Sequence, residues 1–181
     1  MPGNPFYKEH WVDIEPAQLD RYQRMFQRNP ASSALYEPAD IRPGNIVAEL
    51  GCGPGYTAVE IAKWVGADGH VHALDINADF VAQARKNADA AGVGDRVTAH
   101  RCDGSRLPLP EASLDRLTAR NTLIYVDDPE ATLRECRRLL RSAGGEISDA
   151  AIDRMLFSIE QARADGSYLF LAPQFVVTAT R

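Results

Sequence analysis

Residues 46–56 read IVAELGCGPGY and limit the possible folds more than any other part of the chain. Four of the first five residues are apolar, and Gly51, Gly53 and Gly55 follow at alternate positions. A short apolar run stopped by glycines predicts a strand buried on both faces that enters a tight turn. Beyond it Ala58, Ile61, Ala62 and Val65 recur at helical spacing, and Gly66 closes that helix. The unit is therefore strand, glycine loop, helix. A backbone without Cβ can pass close to a ligand. The N–H groups that open the helix then face whatever lies over the loop.

Two cofactor classes use such a unit. Dinucleotides bind a GxGxxG/A loop with the pyrophosphate at the helix start, and Gly53 to Ala58 satisfies GxGxxA, so spacing alone leaves the choice open. The word Glu49-Leu50-Gly51-Cys52-Gly53-Pro54-Gly55 resembles motif I, E/D-x-G-x-G-x-G, of the class I S-adenosylmethionine-dependent methyltransferases. An acid placed as Glu49 is would repel a pyrophosphate but attract the amino group of a methionine moiety. The resemblance implies a Rossmann-like α/β fold, with Glu49, Gly51, Cys52, Gly53 and Gly55 against S-adenosylmethionine and, after transfer, S-adenosylhomocysteine.

The second strand, His70 to Leu74, ends in Asp75, twenty positions after Gly55. An acid at that point can accept from both ribose hydroxyls of either cofactor. It could instead cap the next helix, a task that Asn77 or Asp79 can also perform. The resemblance implies that Ile76 touches the cofactor as well. A third strand, Arg96 to Cys102, runs into Asp103-Gly104-Ser105 and then Leu107-Pro108-Leu109-Pro110. On residues alone Asp103-Gly104 is a turn. In the methyltransferases the matching segment is the adenine site, where Asp103 would accept from the exocyclic amine, Gly104 would follow it and apolar side chains would flank the ring. A fourth strand, Leu114 to Ala119, carries Asp115 as in the family's F/L-D-x-V word, and the resemblance makes Arg120 and Asn121 cofactor or substrate contacts. Pro129 opens the next helix, with Leu133, Cys136 and Leu140 inward and Arg137, Arg138 and Arg141 toward its end.

Before this core, Pro16 opens a helix with Leu19, Tyr22, Gln23 and Phe26 on one face. Asn29-Pro30 ends it and can start a short helix through Leu35. In the family such a helix lids the methionine end, which makes Tyr22 and Met25 candidates; plain packing on the sheet is the alternative. Beyond the core, Leu139 to Gly145 resembles the family's LLRPGG turn. Ser148 then caps a helix with Ile152, Leu156, Ile159 and Ala162 on one face, and Gly166 stops it. Tyr168 to Thr180 reads as strand interrupted by Pro173. Only 36 residues follow Gly145, too few for the family's fifth and sixth strands beside these elements at ~30 residues per βαβ unit. A segment is therefore expected to be missing there. The expected sheet is doubly wound and mostly parallel, order 3-2-1-4, with Phe175 to Thr180 antiparallel in the slot beside the fourth strand. The same slot could be filled by a second copy in a homodimer. The whole chain, 1–181, reads as one domain: a helical lid at 1–40, a cofactor-binding core at 41–145 and a C-terminal helix and strand at 146–181.

Bulk properties exclude several classes. A net charge of −5 disfavours a phosphate-backbone groove, so no nucleic-acid partner is expected. No apolar run approaches the ~18 residues of a membrane span, and no signal-peptide pattern is present, which points to the cytoplasm and away from membranes. Three cysteines, Cys52, Cys102 and Cys136, form no disulfide framework and no metal spacing, and no metal site is expected. His70 and His72 alternate on a strand without a third ligand near in sequence, and read as surface or packing residues. No Tyr-x-x-x-Lys pair supports hydride transfer, and no His or carboxylate is marked by position as a catalytic base. The expectation is a methyltransferase acting on a small-molecule acceptor, largely by holding donor and nucleophile in line. The alternative is a module that binds the cofactor or its product but lacks its substrate segment.

Overall fold

A computed structural model describes residues 10–27, 36–140, 148–165 and 174–178. Pro16 opens α1, Pro16–Met25, where its missing N–H would have had no helical partner. The core then runs β1 (Ile46–Leu50), α2 (Tyr56–Val65), β2 (His70–Asp75), α3 (Ala78–Ala90), β3 (Val97–Arg101), β4 (Arg116–Arg120) and α4 (Pro129–Leu139). It closes with α5 (Asp149–Asp165) and β5 (Gln174–Thr178). The strands form one sheet in the order β3-β2-β1-β4-β5. The first four are parallel, with Leu50 beside Leu74 and Ala119 and Asp75 beside Arg101. All four therefore deliver their C-terminal ends to one edge, where ligands of open α/β sheets bind. The backbone of β5 pairs antiparallel with β4, Arg116 opposite Thr178 through Arg120 opposite Gln174.

Alternation along β1 divides the interior into two cores. Val47 packs with Val71, Ala73, Val97 and Ala99 under α2 and α3. There Ala58, Ala62, Ala84 and Ala88 are buried, and their small side chains let the helices lie close to the sheet and to each other. Ala48 and Leu50 face the other way, with Leu74, Leu117 and Ala119, against Leu133, Cys136 and Leu139 of α4 and Ile152 and Ile159 of α5. Each such fully buried Leu or Ile stabilises the fold by roughly 1.5–3 kcal/mol. Truncating Leu117, which has no exposed surface, should cost about 2–5 kcal/mol.

Local capping decides what stays available at the functional edge. Asn77 caps α3, its Oδ1 accepting from the N–H groups of Asp79 and Phe80, both at 2.9 Å. That relieves Asp75 of the capping role the sequence left open. Asp128 caps α4 by accepting from Ala131 N–H at 2.9 Å, and Ser148 Oγ accepts from Ala151 N–H at 3.2 Å. Two of the parallel strands start later than in the sequence reading. β4 begins at Arg116, not Leu114, because Leu114 N–H donates to Leu139 at the end of α4. Asp115 instead ties off β1, its carboxylate accepting from Ile46 N–H at 2.8 Å. β3 begins at Val97, since Arg96 closes a 3-10 turn over Gly94–Arg96. Arg116 is 5 % exposed and donates through Nε to the Ala39 carbonyl at 2.8 Å, anchoring the segment that carries Tyr36. The short helix to Leu35, the turn from Arg141 to Gly145, Gly166, Pro173 and Thr180 lie outside the described residues.

Candidate functional site

The site is built where β1, β2 and β4 end. Gly51 and Cys52 both donate their N–H groups to the Leu74 carbonyl, at 2.7 and 3.0 Å, so the glycine loop is stitched to β2. The three glycines serve different purposes. A Cβ on Gly51 would overlap the Thr122 side chain, and one on Gly55 would lie 2.6 Å from Ala84 Cβ. Those two glycines permit close approach of protein to protein. At Gly53 the added carbon meets, among the described residues, only the Phe26 ring, at 3.8 Å. Gly53 is thus the member of the trio whose Cβ direction opens into the crevice.

Asp75 stands at the tip of β2 and is 8 % exposed. Its Oδ2 accepts from Gly53 N–H at 2.7 Å and its Oδ1 from Asn77 N–H at 2.9 Å. Burial raises its pKa, and the backbone donors of Asn77, Gly53 and Ile76 oppose that rise. The carboxylate therefore sets the loop's shape, while each oxygen retains a further lone pair for hydroxyl donors. Ile76, half-buried, follows it.

Glu49 is the least satisfied group in the crevice. It is 4 % exposed, and among the described residues its Oε2 has no hydrogen-bond partner. Burial pushes its carboxyl up to about 8, Asp75 adds to the rise, and Arg120 with the Thr57 and Tyr36 hydroxyls works against it. An acid in this state is mostly protonated at neutral pH and can ionise when a cation comes within reach. Thr57 lies in the first turn of α2, and Tyr36, 5 % exposed, reaches it with an O···O distance of 3.4 Å. Burial and the Glu49 charge raise the Tyr36 pKa, which Thr57 and Arg120 oppose. Glu49, Tyr36, Thr57 and Arg120 thus form one polar cluster at the inner end of the loop. Tyr36 and Thr57 were not among the sequence candidates; Thr57, two positions past Gly55, was the one within reach of pattern reasoning.

An aromatic roof covers the loop from the N-terminal side. Tyr22 Oη and His10 Nε2 are 2.6 Å apart, Tyr22 stacks on Phe26 at 5.9 Å, and Trp11 lies 5.2 Å from Tyr22 and 5.6 Å from Tyr125. Phe26 meets Phe80 edge-on at 6.3 Å. Asn77 Nδ2 donates to the Trp11 carbonyl at 3.1 Å, so the cap of α3 also latches the roof. Phe26, rather than Tyr22, comes over Gly53; Tyr22 supports it. Met25 is 58 % exposed.

At the outer end, Leu107 and Leu109 are buried in the core with Leu133 and Cys136 of α4. Asp103 makes a side-chain turn, its Oδ1 accepting from Ser105 N–H at 3.0 Å and Ser105 Oγ–H at 2.7 Å, and buried Gly104 takes φ 87°. Asn121 is exposed with φ 54°, a conformation that Asn tolerates better than most residues. Burial raises the thiols, Cys52 well above its ordinary value, Cys102 to about 11 and Cys136 to about 12. Among the described residues no group of three or more His, Cys, Asp or Glu could hold a metal ion, and no helix is long and apolar enough to cross a membrane.

Residues 47–144 match a family described as a methyltransferase domain, and that span exceeds half of the chain. The chain belongs to the class I S-adenosylmethionine-dependent methyltransferases. This methyltransferase domain is 29% identical over 158 residues to Methyltransferase GfsG of Streptomyces halstedii, across 87% of this chain and 55% of that protein. It is 30% identical over 108 residues to the ubiquinone/menaquinone biosynthesis C-methyltransferase UbiE of Cellvibrio japonicus, across 60% of this chain and 43% of the other. It thus spans about half the length of these curated relatives. In fold it is similar to the crystal structure of a SAM-dependent methyltransferase from Aquifex aeolicus, with a TM-score of 0.61, 20% identity, and 71% and 69% of the two chains covered.

Proposed function

We propose that this domain binds S-adenosylmethionine across the C-terminal edge of its sheet and passes the methyl group to a small-molecule acceptor. The observation that carries the reading is Glu49: a buried acid with an oxygen that has no partner among the described residues, two residues before the glycine loop, suits a cationic ammonium. In this reading Glu49 gives up its proton and pairs with the ammonium of the methionine moiety. Asp75 accepts from the ribose hydroxyls while holding Gly53. Ile76, Asp103 and Gly104 border the adenine. Arg120 balances the Glu49 charge and faces the methionine carboxylate, with Asn121 beside it. The backbone of Gly51, Cys52 and Gly53 lies under the cofactor, and Tyr22 and Phe26 form the roof that keeps water out.

When bound, the cofactor supplies a methyl group already activated on a sulfonium. The chain's own residues then have chiefly to orient donor and acceptor, for which effective molarities of ~10⁵–10⁸ M are available. That the UbiE relative is a C-methyltransferase of ubiquinone/menaquinone biosynthesis supports a small organic acceptor. The test is incubation of the full chain with methyl-tritiated S-adenosylmethionine and a fractionated cell extract. Label in a low-molecular-mass product is expected. Label confined to protein or nucleic acid, or no label while the cofactor is bound, would overturn the reading.

A further inference from the structure

Three histidines that the site does not use meet on the other face of the sheet. His70 and His72 alternate along β2, and the parallel register sets His72 beside Thr98 and Leu74 beside His100. His100 therefore lies diagonally across from His72. Nδ1 of His72 and Nε2 of His100 are 3.3 Å apart, with ring centroids 5.4 Å apart and planes at 44°. The His70 ring stands 4.9 Å from that of His72, and its Nε2 is 2.8 Å from Thr98 Oγ1. All three are half-buried, dry enough to be held and open enough to be reached. Glu49 and Asp75 belong to the opposite face by strand alternation, so this cluster is a separate feature.

Two imidazole nitrogens bound at about 2.0–2.1 Å to one tetrahedral zinc ion stand about 3.3–3.4 Å from each other. The His72–His100 pair already has that separation, and it is supplied by two adjacent strands whose backbones are fixed by the ladder. We propose that His72 and His100 form a two-imidazole site for a borderline divalent transition metal of the zinc class, with water filling the remaining positions and His70 adjoining it. Imidazole suits such ions better than it suits magnesium or calcium. The hydrogen now shared between the two nitrogens moves to the outer nitrogen of its own ring, so binding is proton-neutral. Nearby charges offset one another: Arg85 bears on His100 while donating to the Ala99 carbonyl at 2.7 Å, and Asp95 bears on His70. A bound ion would clip β2 to β3 and stabilise the fold by mass action.

The experiment is a calorimetric titration of the untagged full chain with zinc chloride at pH 7.5, with thermal melts alongside. One saturable ion per chain and a raised melting temperature are expected. His72→Ala and His100→Ala should each weaken binding at least as much as the roughly 10–100-fold lost on removing an outer-shell partner. His10→Ala should leave it unchanged. Should His100→Ala fail to melt cooperatively, imidazole nitrogen shifts of the wild-type protein answer the question: zinc should move Nδ1 of His72 and Nε2 of His100. No saturable binding, binding that survives loss of both histidines, or unmoved nitrogen shifts would overturn the proposal.

Discussion

Replacing Glu49 by Gln should strengthen the empty fold and weaken cofactor binding. Glu49 is 4 % exposed, and burial raises its carboxyl from an ordinary value of 4.5 to about 8. At about 1.4 kcal/mol per pH unit, the raised value costs the empty protein about 5 kcal/mol of stability above pH 8, where the acid is held ionised, and about 3 kcal/mol at pH 7, where it is held protonated. The sign follows from the raised folded-state value. The contribution of this group is fully present below about pH 4.5 and is lost as pH rises through about 8. Gln keeps the shape and has no proton to lose. Urea unfolding at pH 5.5 and 8.5 should therefore show the advantage of Glu49→Gln over wild type growing by about 3 kcal/mol between the two. Calorimetry with S-adenosylmethionine should show the reverse: loss of a charge-assisted contact worth about 1.5–3 kcal/mol, roughly ten- to a hundred-fold in affinity. Parallel stability curves for the two proteins, or an unchanged affinity, would refute the reasoning.

The same ionisation makes wild-type binding release a proton near pH 7 and tighten from pH 6 to 8; titration in buffers of different ionisation enthalpy measures both. Asp75→Ala should weaken S-adenosylmethionine roughly ten- to a hundred-fold. It should also destabilise the empty protein by about 1–3 kcal/mol for each N–H, of Gly53 and Asn77, left without its acceptor; affinity and urea midpoints read the two effects separately. Gly55→Val and Gly53→Val should differ in kind. The first drives a side chain into Ala84 and adds overpacking of about 1–3 kcal/mol to its left-handed backbone strain. The second should leave more of the stability and remove more of the binding, which thermal melts and calorimetry distinguish.

The parallel order of the first four strands was legible because the determinants are local. An apolar run into glycines, a helix-period stretch and an acid about twenty residues later repeat a unit whose handedness and direction are nearly forced. Glu49 and Asp75 were legible for the same reason, since each lies within a few residues of a strand end. What escaped depends on contacts between distant segments. Tyr36 joins Glu49 from a distant segment that Arg116 anchors at Ala39. The Phe26–Phe80 contact requires α1 to settle beside α3, and Asn77 proved to be both cap and latch. The burial of Leu107 and Leu109 in the core was not legible, because an apolar loop has the same composition whether it flanks a ligand or fills a core. His100 could not be paired with His72 until the β2–β3 register was known.

The most direct test of the cofactor assignment is a calorimetric titration of the intact wild-type chain with S-adenosylhomocysteine and, separately, with NADH. Saturable binding of one S-adenosylhomocysteine per chain, with proton release at pH 7 and no heat from NADH, is the predicted result. Binding of NADH without S-adenosylhomocysteine, or of neither by a cooperatively folded chain, would contradict it.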